Sequence, residues 1–494
     1  MYGKIYTTII FVKGVIMKKL FFACVIIISL CLCLSSCDKE QRWKKYSFGE
    51  NVSALFHRGV LYDISDDKKT AEVYGYIRVP KKLRIEKRFR GRPVTKISEY
   101  AFKGCDKIES VKITKNISKI TSGTFSSCQN LEKVIINSDL EYIDVFAFGD
   151  CESLTDVKIK GSIQKIYLEA FEDSRNIKNV YINDLEDWCN IDFVPHYDRY
   201  SPDSLYINSL TRGTKLYVKG DRIIDLTIPD GITEIKDFAF MGFIIEKLIL
   251  PDSVTSIGTE AFSYCTAINE ISFGSNLKTI KASAFVNCED LERINIKDIS
   301  AWCETELENN VFIVRDEYGN EKYEKERRLY LNGEQITNLV IPEGITKIGD
   351  YTFYNIKGIE TLTTPESLST IGKYAFGLSD ISTITLAGNL QSIGEYAFSC
   401  CDNLTSVTIT SSTDEEHEGM VIEEYAFISC TALTTVRFAD CIKQIQSGAF
   451  RLCENLTKAY LENPNRFSSP ATRYFDLSDP YEAAEYLRNG SKLY

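Results

Sequence analysis

The chain has 494 residues, of which 44% are hydrophobic and 26% charged, and its formal net charge is −11. This is the composition of ordinary globular protein and excludes collagen and intrinsic disorder. The acidic balance argues against a general nucleic-acid binder. Only three histidines (His57, His196 and His417) offer acid–base or metal chemistry near neutral pH, so the composition points away from an enzyme.

At the N-terminus, Met17-Lys18-Lys19 opens a basic segment followed by an apolar run from Leu20 to Leu34. The run is shorter than the ~20 residues of a membrane-spanning helix, so residues 1–36 read as a signal peptide, with Met17 as a second possible start. The sequence Leu34-Ser35-Ser36-Cys37 resembles the lipobox of bacterial lipoproteins. That resemblance implies acylation of the Cys37 thiol, lipid attachment to a membrane through it, and an outer-membrane lipoprotein exposed at the cell surface. An ordinary cleaved signal with a chance cysteine is the alternative.

Residues 37–93 lack the repeat described below and carry strand-like runs, Val60 to Ile64 and Ala71 to Val79, around a turn at Ser65-Asp66-Asp67-Lys68. A β cap is expected here, because the first coil of a stacked array otherwise exposes its apolar end. Residues 38–100 hold sixteen Lys and Arg against nine Asp and Glu. Its runs Lys81-Lys82-Leu83-Arg84 and Lys87-Arg88-Phe89-Arg90 either rest on anionic headgroups beside the anchor or form the polar face of strands.

From residue 94 to 461 the chain repeats itself. Phenylalanine recurs at positions 102, 125, 148, 171, 240, 262, 285, 353, 376, 398, 427 and 450; each is preceded by Ala or Thr and, five residues earlier, by Ile. Apolar residues follow six, nine and eleven positions later, as in Leu131, Val134 and Ile136, or one residue early after Phe240 and Phe376, and this ending alternates like a strand. One turn cannot fold alone: about six buried side chains at ~2 kcal/mol each do not offset ordering about 23 residues at ~1–2 kcal/mol each. Stacked turns share their buried faces and pair backbone groups with their neighbours.

The pattern Ile-x-x-x-Ala-Phe-x-x-Cys-x-x-Leu-x-x-Val-x-Ile, clearest at Ile257 to Phe273 and Ile393 to Ile409, resembles the BspA-like leucine-rich repeats of bacterial surface proteins. The resemblance implies a leucine-rich repeat solenoid, with one short strand per coil forming a parallel sheet and short helical or irregular return segments. Two long gaps duplicate each other, Asp184 to Cys189 matching Asp298 to Cys303 and Leu216-Tyr217-Val218 matching Leu329-Tyr330-Leu331. These Trp-Cys inserts, at 184–225 and 298–338, are read as atypical turns with a short helix and a hairpin, for about fourteen coils in all. Residues 462–494 drop the pattern and read as a C-terminal cap, with a helix-like Pro480 to Leu487.

Eight of the sixteen cysteines lie three residues after the repeated Phe. Burial of free thiols explains one recurring position, since leucine-rich repeats place there a small residue that bonds locally to backbone. Disulfides between adjacent coils are the second reading, and metal binding has neither a Cys-x-x-Cys pair nor a nearby His to support it. Cys189 or Cys303 beside Trp could be a nucleophile with His196, but the second copy has no matching His, and packing explains the duplication. The acidic stretch Thr413 to Glu418 reads as a solvated bulge, with cation binding as the lesser alternative. No catalytic motif, cofactor site or metal site emerges.

A long scaffold without an active site is a binding device by physical default. Outward strand positions change from coil to coil (Ile135, Lys158, Tyr181, Ile249, Asn295, Thr408, Arg437, Tyr460), and Tyr181, Ile249, Arg437 and Tyr460 are the nominated ligand contacts. The family resemblance implies adhesion to protein or glycan ligands, including host matrix proteins. A structural or assembly lipoprotein facing the periplasm is the alternative, and an envelope hydrolase the third possibility.

Overall fold

Because a single turn cannot bury its own apolar face, the register between turns decides everything about this fold. The structure, a computed structural model, describes residues 44–47, 53–195, 210–316, 320, 322, 325–410, 419–439, 441–462 and 480–488. The signal segment, Cys37, His196, His417 and the Thr413 to Glu418 stretch lie outside the described residues. The architecture is a strand-rich parallel β-solenoid of about 16 turns with little helix, close to the fourteen coils anticipated.

The described residues form two compact units, one up to residue 154 together with 170–174 and one of residues 155–169 with those from 175 onward. In the first, Lys44–Ser47, Ser53–His57, Val60–Ile64 and Ala71–Tyr76 form an antiparallel meander. Its last strand then pairs in parallel with Arg92–Ile97. A parallel ladder follows from Lys82–Arg84 through Ser110–Ile113 to Lys133–Ile136. Its first rung precedes residue 94 and has no repeated Phe of its own, so counting Phe alone undercounts the turns.

The second unit holds three such ladders. The first runs from Asp156–Ile159 through Asn179–Ile182 to Lys215–Val218. The second comprises Asp225–Thr227, Lys247–Ile249, Glu270–Ser272, Arg293–Ile296 and Arg327–Leu331. The third extends from Asn338–Val340 through Thr361–Thr363, Thr383–Leu386, Ser406–Ile409 and Thr435–Phe438 to Lys458–Leu461. An antiparallel hairpin arm ends the first ladder at Asp221–Arg222 and the second at Glu334–Gln335.

Most turns also have a second rung at the repeated Ile, two residues long in Glu234–Ile235, Ser256–Ile257 and Thr279–Ile280 and longer in Leu140–Ile143 and Ile442–Ile445. One strand per coil was the expectation; two arise because the buried Ile straightens the backbone where it meets its neighbour. All twelve repeated Ile and all twelve repeated Phe are buried. The Phe rings stack face to face with centroids 5.0–5.4 Å apart, from Phe102 to Phe171 in the first unit and, in the second, from Phe240 to Phe285 and Phe353 to Phe450. Tyr76 continues the stack upstream of Phe102, and Phe312 continues it after Phe285.

The small residue before each Phe follows from the same stacking. Phe240 N–H donates to the Ala261 carbonyl of the next turn at 2.8 Å, and Phe262 N–H to Ala284 at 2.8 Å. A side chain larger than Ala or Thr at that point would enter the close-packed core beside the rings.

Candidate functional site

Alternation along each strand sends one residue inward and the next outward. In the third ladder of the second unit, Leu339, Leu362, Ile384, Val407, Val436 and Ala459 point into the core. The register aligns the outward row Val340, Thr363, Thr385, Thr408, Arg437 and Tyr460. A parallel outward row adds Thr361, Thr383, Ser406 and Thr435, so this ladder presents hydroxyls over most of its width.

The second ladder presents charge instead. Glu270 meets Lys247 Nζ at 3.5 Å and Arg293 Nε at 3.4 Å, and its Oε1 accepts from Asn295 Nδ2 at 3.0 Å. The Arg293 guanidinium lies 3.8 Å from the centroid of the Tyr330 ring. In the first ladder Lys158, Tyr181 and Tyr217 fall in one row. Lys158 Nζ sits 4.0 Å over the Tyr181 ring, which stacks on Tyr217 at 4.6 Å. Desolvation, then a hydrogen bond to Asp156, push the Tyr181 phenol up to about 12, so it stays a donor at neutral pH.

Of the four nominated contacts, the structure brings only two together: the Arg437 guanidinium lies 4.1 Å from the centroid of the Tyr460 ring. Tyr181 belongs to the first ladder, and Ile249, 42% exposed, to the second. The sequence nominations miss Tyr217 and Tyr330, although both lie in the duplicated Leu-Tyr motif. Each of the three ladders thus has a tyrosine in its last long strand, with a cation on that ring in the second and third and on its stacked neighbour Tyr181 in the first. Also missed is the column Tyr351, Tyr374, Tyr396 and Tyr425, two residues before the repeated Phe, which stacks at 4.7–5.2 Å.

The cysteine column does a different job. Cys265 Sγ donates to the Phe240 carbonyl of the preceding turn at 3.1 Å, and Cys128, Cys151, Cys288, Cys401, Cys430 and Cys453 repeat the bond at 3.0–3.3 Å. The local bond expected of this slot is therefore a bond between turns. Ser174 makes it to the Phe148 carbonyl at 2.6 Å. After each insert, Phe243 and Ile356 stand in the Cys position, and an indole bonds a different carbonyl, that of the residue before Phe in the following turn: Trp188 Nε1 donates to Ala239 at 2.9 Å and Trp302 Nε1 to Thr352 at 3.0 Å.

All twelve described cysteines are free thiols. Burial pushes Cys189 and Cys303 each up to about 12, which keeps both protonated and poorly nucleophilic at neutral pH. Among the described residues no group of three or more His, Cys, Asp or Glu could hold a metal ion, and no helix is long and apolar enough to cross a membrane.

The chain is similar to several bacterial proteins of known structure. A leucine-rich repeat protein from Bacteroides ovatus ATCC 8483 is 21% identical, over 84% of this chain and 94% of that one, with a TM-score of 0.44. A leucine rich cell surface protein from Faecalibacterium prausnitzii A2-165 is 18% identical over 88% and 97% of the two chains, with a TM-score of 0.37. The pneumococcal vaccine antigen PcpA is 14% identical over 85% and 92%, with a TM-score of 0.33. No curated protein matches the chain. The family model of the BspA type leucine rich repeat region (6 copies) matches residues 84–191, 217–313, 326–457 and 416–478. The chain therefore belongs to the BspA-type leucine-rich repeat family.

Proposed function

We propose that the protein is a non-catalytic recognition scaffold that binds protein or glycan ligands, host matrix proteins among them, through the outward face of its strand ladders. In this reading Cys37 carries a lipid that holds the scaffold at the outer membrane, with the solenoid exposed at the cell surface. One observation carries it: a single backbone lattice presents a hydroxyl row in one ladder, an ion-paired row in another and an aromatic–cation pair in each. Structural repetition alone does not require outward chemistry to differ in this way, whereas recognition does.

The test uses purified residues 38–494 against immobilised host matrix proteins, bacterial envelope proteins and glycans. Expected are saturable binding to at least one of them and a loss of about tenfold in affinity for Arg437→Ala/Tyr460→Ala, the scale of a lost ~1.4 kcal/mol contact. Binding that ignores substitutions at every outward row would overturn the reading. Protease shaving of intact cells separates it from a periplasm-facing assembly role: cleavage of the solenoid supports surface display, and full protection supports the alternative.

A further inference from the structure

In the first unit the charged residues on the outward face of three successive rungs are all cations. The register sets Lys82 beside Ser110 and Ser110 beside Lys133, and in the next row Arg84 beside Lys112 and Lys112 beside Ile135. Rungs lie ~4.8 Å apart and successive outward residues ~6.6 Å apart, so the four cations stem from backbone within about 12 Å. Among the described residues none of the four enters an ion pair, although neighbouring lysines do: Lys81 pairs with Glu109, Lys96 with Glu72 and Lys119 with Glu141. The second unit treats charge differently, setting Glu270 between Lys247 and Arg293 on adjacent rungs.

The other basic run of the sequence does not join this patch. Its hairpin, Arg88–Phe89 with Arg92–Ile97, belongs to a different sheet. Its guanidiniums are spent on backbone: Arg88 Nη1 donates to Gly91 at 2.6 Å and Arg92 Nε to Lys68 at 2.6 Å. The two runs therefore do not form one basic surface. The structure leaves one compact group of four cations, whose mutual repulsion a bound polyanion would relieve.

We propose that this face binds an extended acidic glycan bearing sulfate or carboxylate groups on successive sugars, with Lys82, Arg84, Lys112 and Lys133 as its contacts. The inference rests on the outward-face reading above and adds a ligand class for these rungs. Arg84 supplies a planar fork matched to sulfate or carboxylate, and the lysines supply point charges along the chain.

The probe is immobilised heparin, with the full chain in non-ionic detergent at physiological salt. Arg84→Gln/Lys112→Gln/Lys133→Gln is expected to weaken binding about tenfold or more and to flatten its dependence on salt. Lys112→Arg/Lys133→Arg keeps the charge and is expected to keep the affinity, which separates lost contacts from lost folding. Unchanged heparin affinity in the triple variant, or no heparin binding by the parent chain, overturns the proposal. So does displacement by phosphatidylglycerol vesicles as effective as that by soluble heparin, which would assign the patch to lipid. If heparin binding fails while capture dependent on Arg437 and Tyr460 persists, only this inference falls; loss of both removes the outward-face reading as well.

Discussion

At the scale of the residue, the repeated Phe and Cys act as one device. The Phe262 ring packs between Phe240 and Phe285, and its carbonyl accepts the Cys288 thiol of the next turn. Phe262→Ala empties the middle of the stack and is expected to cost ~3–5 kcal/mol, read from urea unfolding. Cys265→Ala leaves the Phe240 carbonyl without its thiol donor and should cost ~1–3 kcal/mol, while Cys265→Ser keeps a donor and should cost less. The thiols also predict alkaline sensitivity. Burial pushes Cys265 from an ordinary value of 9.0 up to about 12, and Cys151 likewise to about 12. A folded value above the unfolded one stabilises the fold fully below about pH 9, and that stability is lost as pH rises toward 12. Thermal unfolding midpoints should therefore fall across this window, and less steeply in Cys265→Ser; a flat profile would mean that water reaches the thiols.

At the scale of the element, the two Trp inserts are modified turns that close one ladder before another begins. Asp184 Oδ1 accepts from Glu186 N–H at 2.9 Å and Asp298 Oδ1 from Ala301 N–H at 2.8 Å, capping helices too short to persist unaided. Each helix delivers its indole to the backbone of the following turn. Trp302→Phe keeps the ring but drops the bond to Thr352, so a loss of ~1–2 kcal/mol is expected, and local hydrogen exchange should rise near residues 349–353. The hairpin that follows turns on Asn332 and Gly333, both at positive φ (50° and 89°), as a two-residue type I′ turn requires. No neighbouring atom crowds Gly333, so Gly333→Val tests backbone conformation alone. It should destabilise by ~1 kcal/mol or more, with the largest chemical-shift changes between residues 327 and 335.

At the scale of the whole molecule, a repeat array gains stability turn by turn, so a defect is felt locally before it is felt globally. Denaturant unfolding of the Phe262→Ala protein should accordingly broaden or split into phases, with tryptophan fluorescence and far-UV circular dichroism giving different midpoints. The repeat was legible in the sequence because stacking demands the same inward residue at the same place in every turn, and period and strand alternation follow from that demand. The signal for Tyr217 and Tyr330 was present in the duplicated Leu-Tyr motif but had no meaning until the register put Arg293 over one ring and Tyr181 against the other. The basic runs at Lys81 to Arg84 and Lys87 to Arg90 looked alike as text; pairing placed them in separate sheets and joined the first to Lys112 and Lys133, more than twenty residues downstream. What the amino-acid order determined by itself was the buried lattice, since burial acts on each turn alike and leaves a periodic trace. Which outward side chains become neighbours was decided only in three dimensions, because contact across rungs depends on turn length and register, and solvent imposes no period on residues that face it.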